Sequence, residues 1–380
     1  MSSQPNVCVC IIQPVVKQYR VPFFIELEKE LAMSNVTLQV VYGEPWAEEA
    51  KRGDNSELPE PLGYKVPTYR LFRKLLIQPS LMPWLKADLV VLEPANKHAL
   101  NYLMLLLHGL GLKRIAYWGH GYDRQTSPDT LGNRFKRKTL HWVTWWFAYT
   151  RGAADYVSGQ GFDEKRITVV ENALDTREFR DQLSEISAKE NDKERNALGW
   201  NAQSRIGVFC GSLYVNKKLD LLFESAQLVH QRIPDFRLLI LGGGPLEKEV
   251  REFSEAHEWV CYLGPVFGQQ KAIMLNMADL WLNPGLVGLG ILDGFCAGLP
   301  VITTDVPFHS PEIEYLEEGV NGLMVPSDVE NFAETVSSLL EDNDRLTLLK
   351  NGALNSANRY NIETMVNNFA QGVRKCLNLF

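Results

Sequence analysis

Several features that define other classes of protein are missing from this sequence. Aspartate and glutamate (46) outnumber lysine and arginine (39), so the formal net charge is −7. A general nucleic-acid-binding protein needs a basic face that displaces phosphate counterions, and we therefore expect no nucleic-acid partner. The pattern Gly-x-x-x-x-Gly-Lys-Ser/Thr does not occur either, which excludes a P-loop ATPase as far as motifs can.

Patterns typical of metal sites and disulfides are also missing. The six cysteines form no Cys-x-x-Cys pair, and four of them lie inside apolar runs, so we interpret them as reduced core thiols. The Asp-x-Asp sequence Asp342–Asp344 lies in a polar turn, far along the chain from the strand ends. We therefore expect neither a metal nor another cofactor.

Long apolar segments are missing as well. The N-terminus has no basic region, and the apolar stretch around Val7–Ile12 is too short for a signal peptide. The uncharged run His98–Leu112 contains two histidines and two glycines and is shorter than the roughly 20 residues that span a bilayer. We expect no transmembrane helix and a cytoplasmic location.

What the sequence does contain is a regular alternation of short apolar runs and helical patterns over 380 residues, a length that suits two domains. Such alternation predicts parallel sheets covered by helices. In the first half the predicted elements are strand 6–13, helix 20–33, strand 37–42, strand 88–92, helix 99–110, strand 114–118, a long helix within 133–151 and strand 155–158.

The alternation restarts after a charged stretch, Arg180–Arg195, that resembles a domain junction. The predicted elements of the second half are strand 205–210, helix 219–233, strand 237–241, helix 247–257, strand 260–263, helix 269–277, strand 280–283, helix 291–297 and strand 301–304. The predicted fold class is α/β, with two Rossmann-like doubly wound domains that face a central cleft. Ligands of such sheets bind at the carboxyl ends of the strands.

The strongest local signal is the glycine-bearing segment Asn283–Pro300, which runs from a strand end through a turn into a short helix. Amides at a helix start, here Leu289–Leu292, carry partial positive charge and can bind a diphosphate, and Gly288 and Gly290 would let a phosphate approach the backbone closely. Asp293 lies in the first helical turn, where it could equally be a simple capping acid.

This segment resembles the signature of retaining glycosyltransferase family 4, whose members have the GT-B fold. The family's usual form has two glutamates eight positions apart around a Gly-Phe-Gly turn. The second glutamate binds the nucleotide ribose, and Asp293 occupies its position here. The first usually contacts the donor sugar, and here that position is Gly285.

The resemblance extends over most of the chain. Other segments similar to family motifs, in the same order, are Glu171–Phe179, Gly211–Lys217, Gly242–Leu246, Tyr262–Val266 and Ala278–Leu280. Within Gly211–Lys217 the family uses an arginine and a lysine to clamp the diphosphate. Lys217 is retained, whereas Ser212 replaces the arginine.

The resemblance implies a domain plan and a donor site. We expect an N-terminal acceptor domain over 1–190 with a linker at about 172–200, a nucleotide-sugar domain over 200–360, and a helix at 361–380 that packs back on the first domain. The implied donor-binding residues are Gly211, Ser212, Gly243, Gly285, Val287, Gly288, Leu289, Gly290 and Asp293, and the implied catalytic residues are Lys217 and His120. The glycines at 242–244 could also form nothing more than a tight turn.

Three residues of the first half follow strand ends. His120 lies within Trp118–Tyr122, and a family histidine after this strand contacts the donor sugar or the reaction centre. The alternative is a histidine bonded to the local backbone. Tyr19 and Arg20 follow the first strand, where family members shape the acceptor site, although both could simply begin the helix. His309, near the C-terminus, we interpret as structural.

The segment Arg134–Arg151 combines a basic cluster with aromatic residues at helical spacing, among them Trp142, Trp145, Trp146 and Tyr149. A basic amphipathic helix with tryptophans can lie in a membrane interface. The alternative is a core helix, because an aromatic stripe usually faces a core.

The sequence thus predicts a retaining, metal-independent glycosyltransferase that uses a nucleoside-diphosphate sugar and a glycan or lipid-linked acceptor. Cell-surface polysaccharide, lipopolysaccharide or glycolipid synthesis is the expected context, and the protein could be peripheral on the inner face of a membrane. Two alternatives stay open. One is a sugar-nucleotide epimerase on the same fold, and the other is a non-catalytic scaffold that binds nucleotide sugars.

Overall fold

The computed structural model divides the chain into two compact units. One unit contains Met1–Asp175 together with Ile362–Phe380, and the other contains Thr176–Asn361. The structure describes residues 7–50, 53–71, 75–79, 82–95, 97–121 and 138–379.

The first unit is built on a parallel sheet of hydrophobic strands. Seven strands are seen in its described residues, in the order β3-β2-β1-β6-β7-β8-β9. These strands are β1 Val7–Gln13, β2 Val36–Gly43, β3 Gly63–Val66, β6 Leu89–Leu92, β7 Arg114–Gly119, β8 Trp145–Ala148 and β9 Ile167–Val169, while a separate hairpin pairs β4 Tyr69–Leu71 with β5 Leu75–Ile77. Residues of β6 and β8 are buried throughout, as expected for strands covered by helices on both faces.

Helices of the first unit pack their apolar sides on this sheet. They are α1 Val21–Ala32, α2 Ala47–Ala50, α3 Met82–Lys86, α4 Ala99–Gly109, α5 Arg151–Gly159 and, from the end of the chain, α14 Ile362–Leu377. Phe369 of α14 stacks on Phe147 with ring centroids 4.1 Å apart and meets Trp118 edge-on. Arg374 donates to the Glu30 carboxylate at 2.8 Å. The last helix is therefore part of the core of the first unit.

The second unit has a Rossmann topology. Six strands are seen in its described residues, all parallel, in the order β12-β11-β10-β13-β14-β15. These strands are β10 Arg205–Cys210, β11 Phe236–Leu241, β12 Val260–Gly264, β13 Leu280–Leu282, β14 Val301–Thr304 and β15 Gly322–Val325. The strand order reverses between β10 and β13, and the loops after these two strands meet at this switch point.

Eight helices are seen among the described residues of the second unit. They are α6 Arg177–Glu185, α7 Ala188–Ala197, α8 Leu219–Arg232, α9 Glu247–Ala256, α10 Gly268–Asn276, α11 Ile291–Cys296, α12 Val329–Glu341 and α13 Asn343–Arg359. The N-terminal segment of the first unit ends at Asp175, within the range of about 172–200 expected for the linker, and α6 and α7 pack within the second unit. Arg195 of α7, for example, donates to the Met277 carbonyl at 2.7 Å.

The charged segment predicted as a linker is helical because it carries its own helix signals. Ser187 accepts from the Glu190 amide, and the Glu190 carboxylate accepts from the Ser187 amide, which together make a capping box. Each half of that box satisfies a backbone donor that a helix start otherwise leaves exposed. The pattern Ser-x-x-Glu was available in the sequence and marks the start of α7.

The predicted helix within 133–151 was wrong for residues 145–148, while 133–137 lie outside the described residues, and the predicted strand 155–158 was also wrong. Trp145–Ala148 is the buried strand β8, and Arg151–Gly159 is the helix α5, which begins where the Thr150 hydroxyl accepts from the Ala153 amide. Aromatic residues at helical spacing coincide here with a continuous apolar run, and such short runs do not distinguish strand from helix.

This correction removes the basis for the predicted membrane helix over Arg134–Arg151. Trp145 and Trp146 are buried in the sheet, and the basic residues 134, 136 and 137 lie outside the described residues. Among the described residues, no helix is both long and apolar enough to cross a bilayer.

Candidate functional site

The switch point of the second unit brings together two loops that the sequence had singled out. The loop after β10 contains Gly211–Lys217, and the loop after β13 contains Asn283–Gly290. The Leu286 amide donates to the Asn216 carbonyl at 2.7 Å, which joins the two backbones directly.

Gly285 is required at this crossing because there is no room for a side chain. A Cβ atom at this position would lie 2.1 Å from the Asn216 carbonyl oxygen and 2.6 Å from the Lys217 Cα. Both neighbours are backbone atoms, which cannot turn away as a side chain could. The glycine that departs from the family pattern therefore permits the close approach of the two loops.

The crossing fixes the position of the Lys217 ammonium group. Its Nζ donates to the Leu286 carbonyl at 2.5 Å, and the residue is 9% exposed. Burial lowers the pKa of Lys217 to about 8, since desolvation disfavours the charged form. A cation held in this way has no carboxylate partner among the described residues.

Side chains of Thr304 and His309 hold the loop after β13 in place. The His309 imidazole accepts from the Val287 amide at 3.0 Å and donates to the Thr304 carbonyl at 2.7 Å. The Thr304 hydroxyl donates to the Pro284 carbonyl, and the Asn283 amide group to the Leu286 carbonyl. His309 thus positions this loop, in agreement with its interpretation as a structural residue.

Three successive amides of this loop are left without a partner. The predicted donors extended to Leu292, but the amides of Ile291 and Leu292 bond to the carbonyls of Gly288 and Leu289 at 3.0 and 3.1 Å. That prediction was wrong for these two residues because the short helix opens with tight i to i−3 bonds. In this loop, the amides of Gly288, Leu289 and Gly290 have no partner among the described residues, and neither does that of Gly285.

The glycines at 242–244 form a tight packing of loops. A Cβ on Gly242 would lie 1.9 Å from the Gly211 carbonyl oxygen, and one on Gly244 would lie 2.4 Å from that of Leu213. The Leu213 amide donates to the Gly243 carbonyl at 3.0 Å. Close backbone approach to the loop after β10 explains Gly242 and Gly244, whereas a Cβ on Gly243 would meet the Pro265 side chain at 3.0 Å. Ser212 on the same loop is exposed.

Asp293 forms an ion pair that the sequence did not reveal. Its carboxylate lies 2.7 Å from the Lys271 Nζ, and both side chains are largely buried. Burial opposes the charge on Lys271, but Asp293 and Cys210 outweigh it and raise the pKa of the lysine. The same ammonium group lies 5.0 Å from the centre of the Phe179 ring. Lys271 lies in the middle of α10, and no local sequence pattern marks it.

A second cluster lies in the first unit, where β1, β7 and β8 end. Arg20 is 7% exposed, and its guanidinium carbon lies 5.1 Å from the ring centres of Trp118 and Tyr19 and 5.7 Å from that of Tyr149. Its hydrogen bond goes to the Met365 sulfur at 3.7 Å. None of the described carboxylates pairs with Arg20, an unusual state for a buried cation.

His120 belongs to the same cluster. Its ring is half-buried and its centroid is 6.0 Å from that of Tyr149. The flanking Gly121 has φ +78°, a left-handed conformation that favours glycine. The first unit thus brings together Tyr19, Arg20 and His120, and the second brings together Lys217 and the loop containing Gly285–Gly290.

Comparison with known proteins agrees with this architecture. Residues 204–342 match the family model described as glycosyl transferases group 1, so the second unit carries a group 1 glycosyltransferase domain. The crystal structure of HepE from Anabaena with UDP and glucose has a TM-score of 0.65 at 14% identity, covering 97% of this chain and 99% of HepE. The chain therefore has the GT-B fold of two Rossmann-like units.

Two curated relatives match over part of their length. The inferred glycosyltransferase EpsD of Bacillus subtilis (strain 168) is 26% identical over 243 residues, which is 60% of this chain and 60% of EpsD. The D-inositol 3-phosphate glycosyltransferase of Thermobispora bispora is 26% identical over 212 residues, 52% of this chain and 47% of that protein. The matches thus span less than two thirds of each relative.

The crossing of the two loops predicts the effect of substitutions at Gly285. Gly285→Ala should lower the free energy of unfolding by about 1–3 kcal/mol, because the added methyl group is forced against backbone atoms. Gly285→Glu, which restores the family pattern, should destabilise at least as much. Urea unfolding followed by fluorescence measures both changes.

Gly290→Ala is a matched control in the same loop. Its Cβ would meet Trp281 at an ordinary 3.8 Å, and the backbone there is already helical with φ −58°. Wild-type stability of Gly285→Glu would show that the two loops do not cross as described.

Proposed function

We propose that the chain is a glycosyltransferase that moves a sugar from a nucleoside-diphosphate sugar to an acceptor hydroxyl. The observation that carries this proposal is the juxtaposition of three unpaired amides, Gly288–Gly290, with the buried Lys217 ammonium at a Rossmann switch point. Both are suited to an anionic ligand. The group 1 family match and the UDP and glucose bound to HepE support a nucleotide sugar as that ligand.

In this mechanism the site stabilises the diphosphate that leaves the sugar. The amides and Lys217 would donate to the oxygens on which negative charge develops, with donors fixed in advance by the loop crossing. Asp293 would bind the ribose, as its counterpart does in the resembling family, with Lys271 holding the carboxylate in place. Gly211, Ser212, Gly243 and Val287 line the donor site in this proposal.

The proposed reaction retains the anomeric configuration and uses no protein nucleophile. The sugar–phosphate bond breaks, the acceptor oxygen attacks from the same face, and the departing phosphate oxygen takes the acceptor proton. His120 would contact the donor sugar or the reaction centre. No metal is required in the proposal, because Lys217 and the amides supply the positive charge; the described residues contain no cluster of potential metal ligands.

The acceptor site is proposed at the cluster of Tyr19 and Arg20. A buried guanidinium without a carboxylate partner is suited to an acceptor that carries a phosphate or carboxylate. The inositol 3-phosphate in the name of the Thermobispora bispora relative supports an anionic acceptor. A glycan or lipid-linked acceptor in surface polysaccharide or glycolipid synthesis is the proposed context.

A thermal-shift screen of UDP, GDP, dTDP and ADP with their sugars tests the function. One nucleotide at about 100 times its Kd should stabilise the native protein by about 2.7 kcal/mol and raise the melting temperature. That nucleotide's sugar should then release nucleoside diphosphate only when an acceptor is added, and the NMR coupling of the product should show retention. Asp293→Asn should weaken the nucleotide shift.

The same assays separate the alternatives. Interconversion of the sugar without acceptor would identify an epimerase, and binding without turnover on any acceptor would identify a scaffold. Either result would overturn the proposed activity.

The lowered pKa of Lys217 predicts a pH dependence of donor use. The cation is lost as pH rises through about 8, so kcat/KM for the donor should fall about tenfold per pH unit above that value. Lys217→Met should lower kcat/KM by about 100-fold or more and remove the transition. Donor binding at pH 8.5 should also take up a proton, which calorimetry in buffers of different ionisation enthalpy detects.

Lys218→Met is the matched control for this profile. Lys218 is the next residue, is half-buried, and should keep the wild-type pH profile. A wild-type profile in Lys217→Met would remove Lys217 from the mechanism.

Because no described carboxylate pairs with the Arg20 guanidinium, we predict selectivity between acceptors. Arg20→Met should raise KM for a sugar or inositol phosphate about tenfold or more, since a charge-assisted pair is lost. KM for the matching neutral acceptor and for the donor should stay near wild type. Arg166→Met is the control, because Arg166 also lies over a ring in this unit, 4.6 Å from the centre of Phe162. Equal losses for charged and neutral acceptors would contradict an anion site.

A further inference from the structure

One helix of the first unit exposes an apolar surface without charged residues. We define the α4 face as the side chains of Tyr102, Leu103, Leu106, Leu110 and Leu112, which are between 41% and 64% exposed. The opposite side of α4 packs inward: Met104 is fully buried, and the Asn101 amide group donates to the Glu93 carbonyl at 2.8 Å. The orientation of the helix is therefore fixed, and the leucines point outward.

This pattern differs from that of an ordinary surface helix. No Asp, Glu, Lys or Arg occurs from Ala99 to Leu112, whereas a surface helix normally carries charged residues on its outer side. A contiguous exposed apolar patch on a folded domain marks a site that binds another surface.

Basic residues surround the C-terminal end of the α4 face. Leu112 shares a surface cavity of about 540 Å³ with Lys86, Asp88, His108, Lys113 and Arg114. The single carboxylate among them, Asp88, accepts from the Cys8 amide at 2.8 Å, while the Lys113 ammonium donates to two carbonyls, those of Leu85 and Ala87. The cavity is therefore locally positive in a chain whose net charge is −7.

Together these features specify the partner. Outward leucines and a tyrosine beside a basic margin are the arrangement that inserts into the headgroup and acyl boundary of a bilayer with anionic lipids. In a two-fold symmetric contact, a second copy of the chain would place its own basic margin opposite this one, and like charges repel.

We propose that the first unit docks through the α4 face onto an anionic membrane, with a lipid phosphate in the cavity beside Lys86 and Arg114. The proposal goes beyond the transfer reaction and uses different residues from the predicted segment Arg134–Arg151. A unit that carries the acceptor cluster would thereby be held at the surface where a lipid-linked acceptor lies.

Flotation of the full-length protein with lipid vesicles tests the proposal. The protein should float with phosphatidylcholine vesicles that contain phosphatidylglycerol, bind less at high salt, and bind weakly to phosphatidylcholine alone. Leu106→Glu should weaken binding about tenfold or more, because an exposed leucine that the membrane would cover is replaced by a charge at the lipid boundary. The double variant Lys86→Glu/Arg114→Glu should weaken binding to the anionic vesicles about tenfold or more.

Matched variants in the second unit serve as controls. Leu348→Glu alters another outward leucine, 70% exposed on α13, and Lys189→Glu/Lys193→Glu reverses two exposed charges on α7. Both should float like wild type. The thermal shifts that nucleotides cause should be the same in all variants and in wild type. A loss of vesicle binding can then be distinguished from a loss of nucleotide binding.

Two results would overturn the proposal. One is wild-type protein that ignores anionic vesicles at low salt. The other is equal binding by Leu106→Glu and wild type. A concentration-dependent dimer that Leu106→Glu dissociates, together with no vesicle binding, would instead assign the α4 face to a second copy of the chain.

Discussion

The close approach of two backbones at the switch point of the second unit is the constraint on which the candidate donor site depends. Because Gly285 has no side chain, the loop after β13 can lie against Asn216 and Lys217. That contact places the Leu286 carbonyl oxygen within hydrogen-bond distance of the Lys217 ammonium. The three successive unpaired amides begin two residues further on, at Gly288. The buried cation has a lowered pKa for the same reason. The position of the Lys217 ammonium, and with it the capacity to bind an anion, follows from the path of the backbone.

Much of the fold could be predicted from hydrophobic periodicity. The strands Arg205–Cys210 and Val301–Thr304 have the predicted bounds, because each is a short apolar run between clear turn signals. Trp145–Ala148 was mistaken for helix, since four buried residues in sequence fit either period. The helices of 177–197 were not predicted, because their charge outweighed a capping box at Ser187. Composition was given more weight there than local hydrogen bonding.

For the candidate site, the sequence located the loops but not their contacts. Glycines and Lys217 could be found because a motif marks them. Lys271 could not, because its link to Asp293 joins two elements that lie 22 positions apart. The amide partners could not be predicted either, since i to i−3 bonding at Ile291 depends on how the turn closes. From the family resemblance, Gly285 stands where a sugar-binding glutamate is usual, whereas the contacts show that a side chain has no room there.

The position of α14 affects how the first unit can form during synthesis. Phe147 and Trp118 are made early, yet their partner Phe369 leaves the ribosome only after the whole second unit. Since domains tend to fold as they emerge, the second unit can complete its core while the first still exposes an aromatic surface. The first unit therefore completes its core last, although it precedes the other in the sequence.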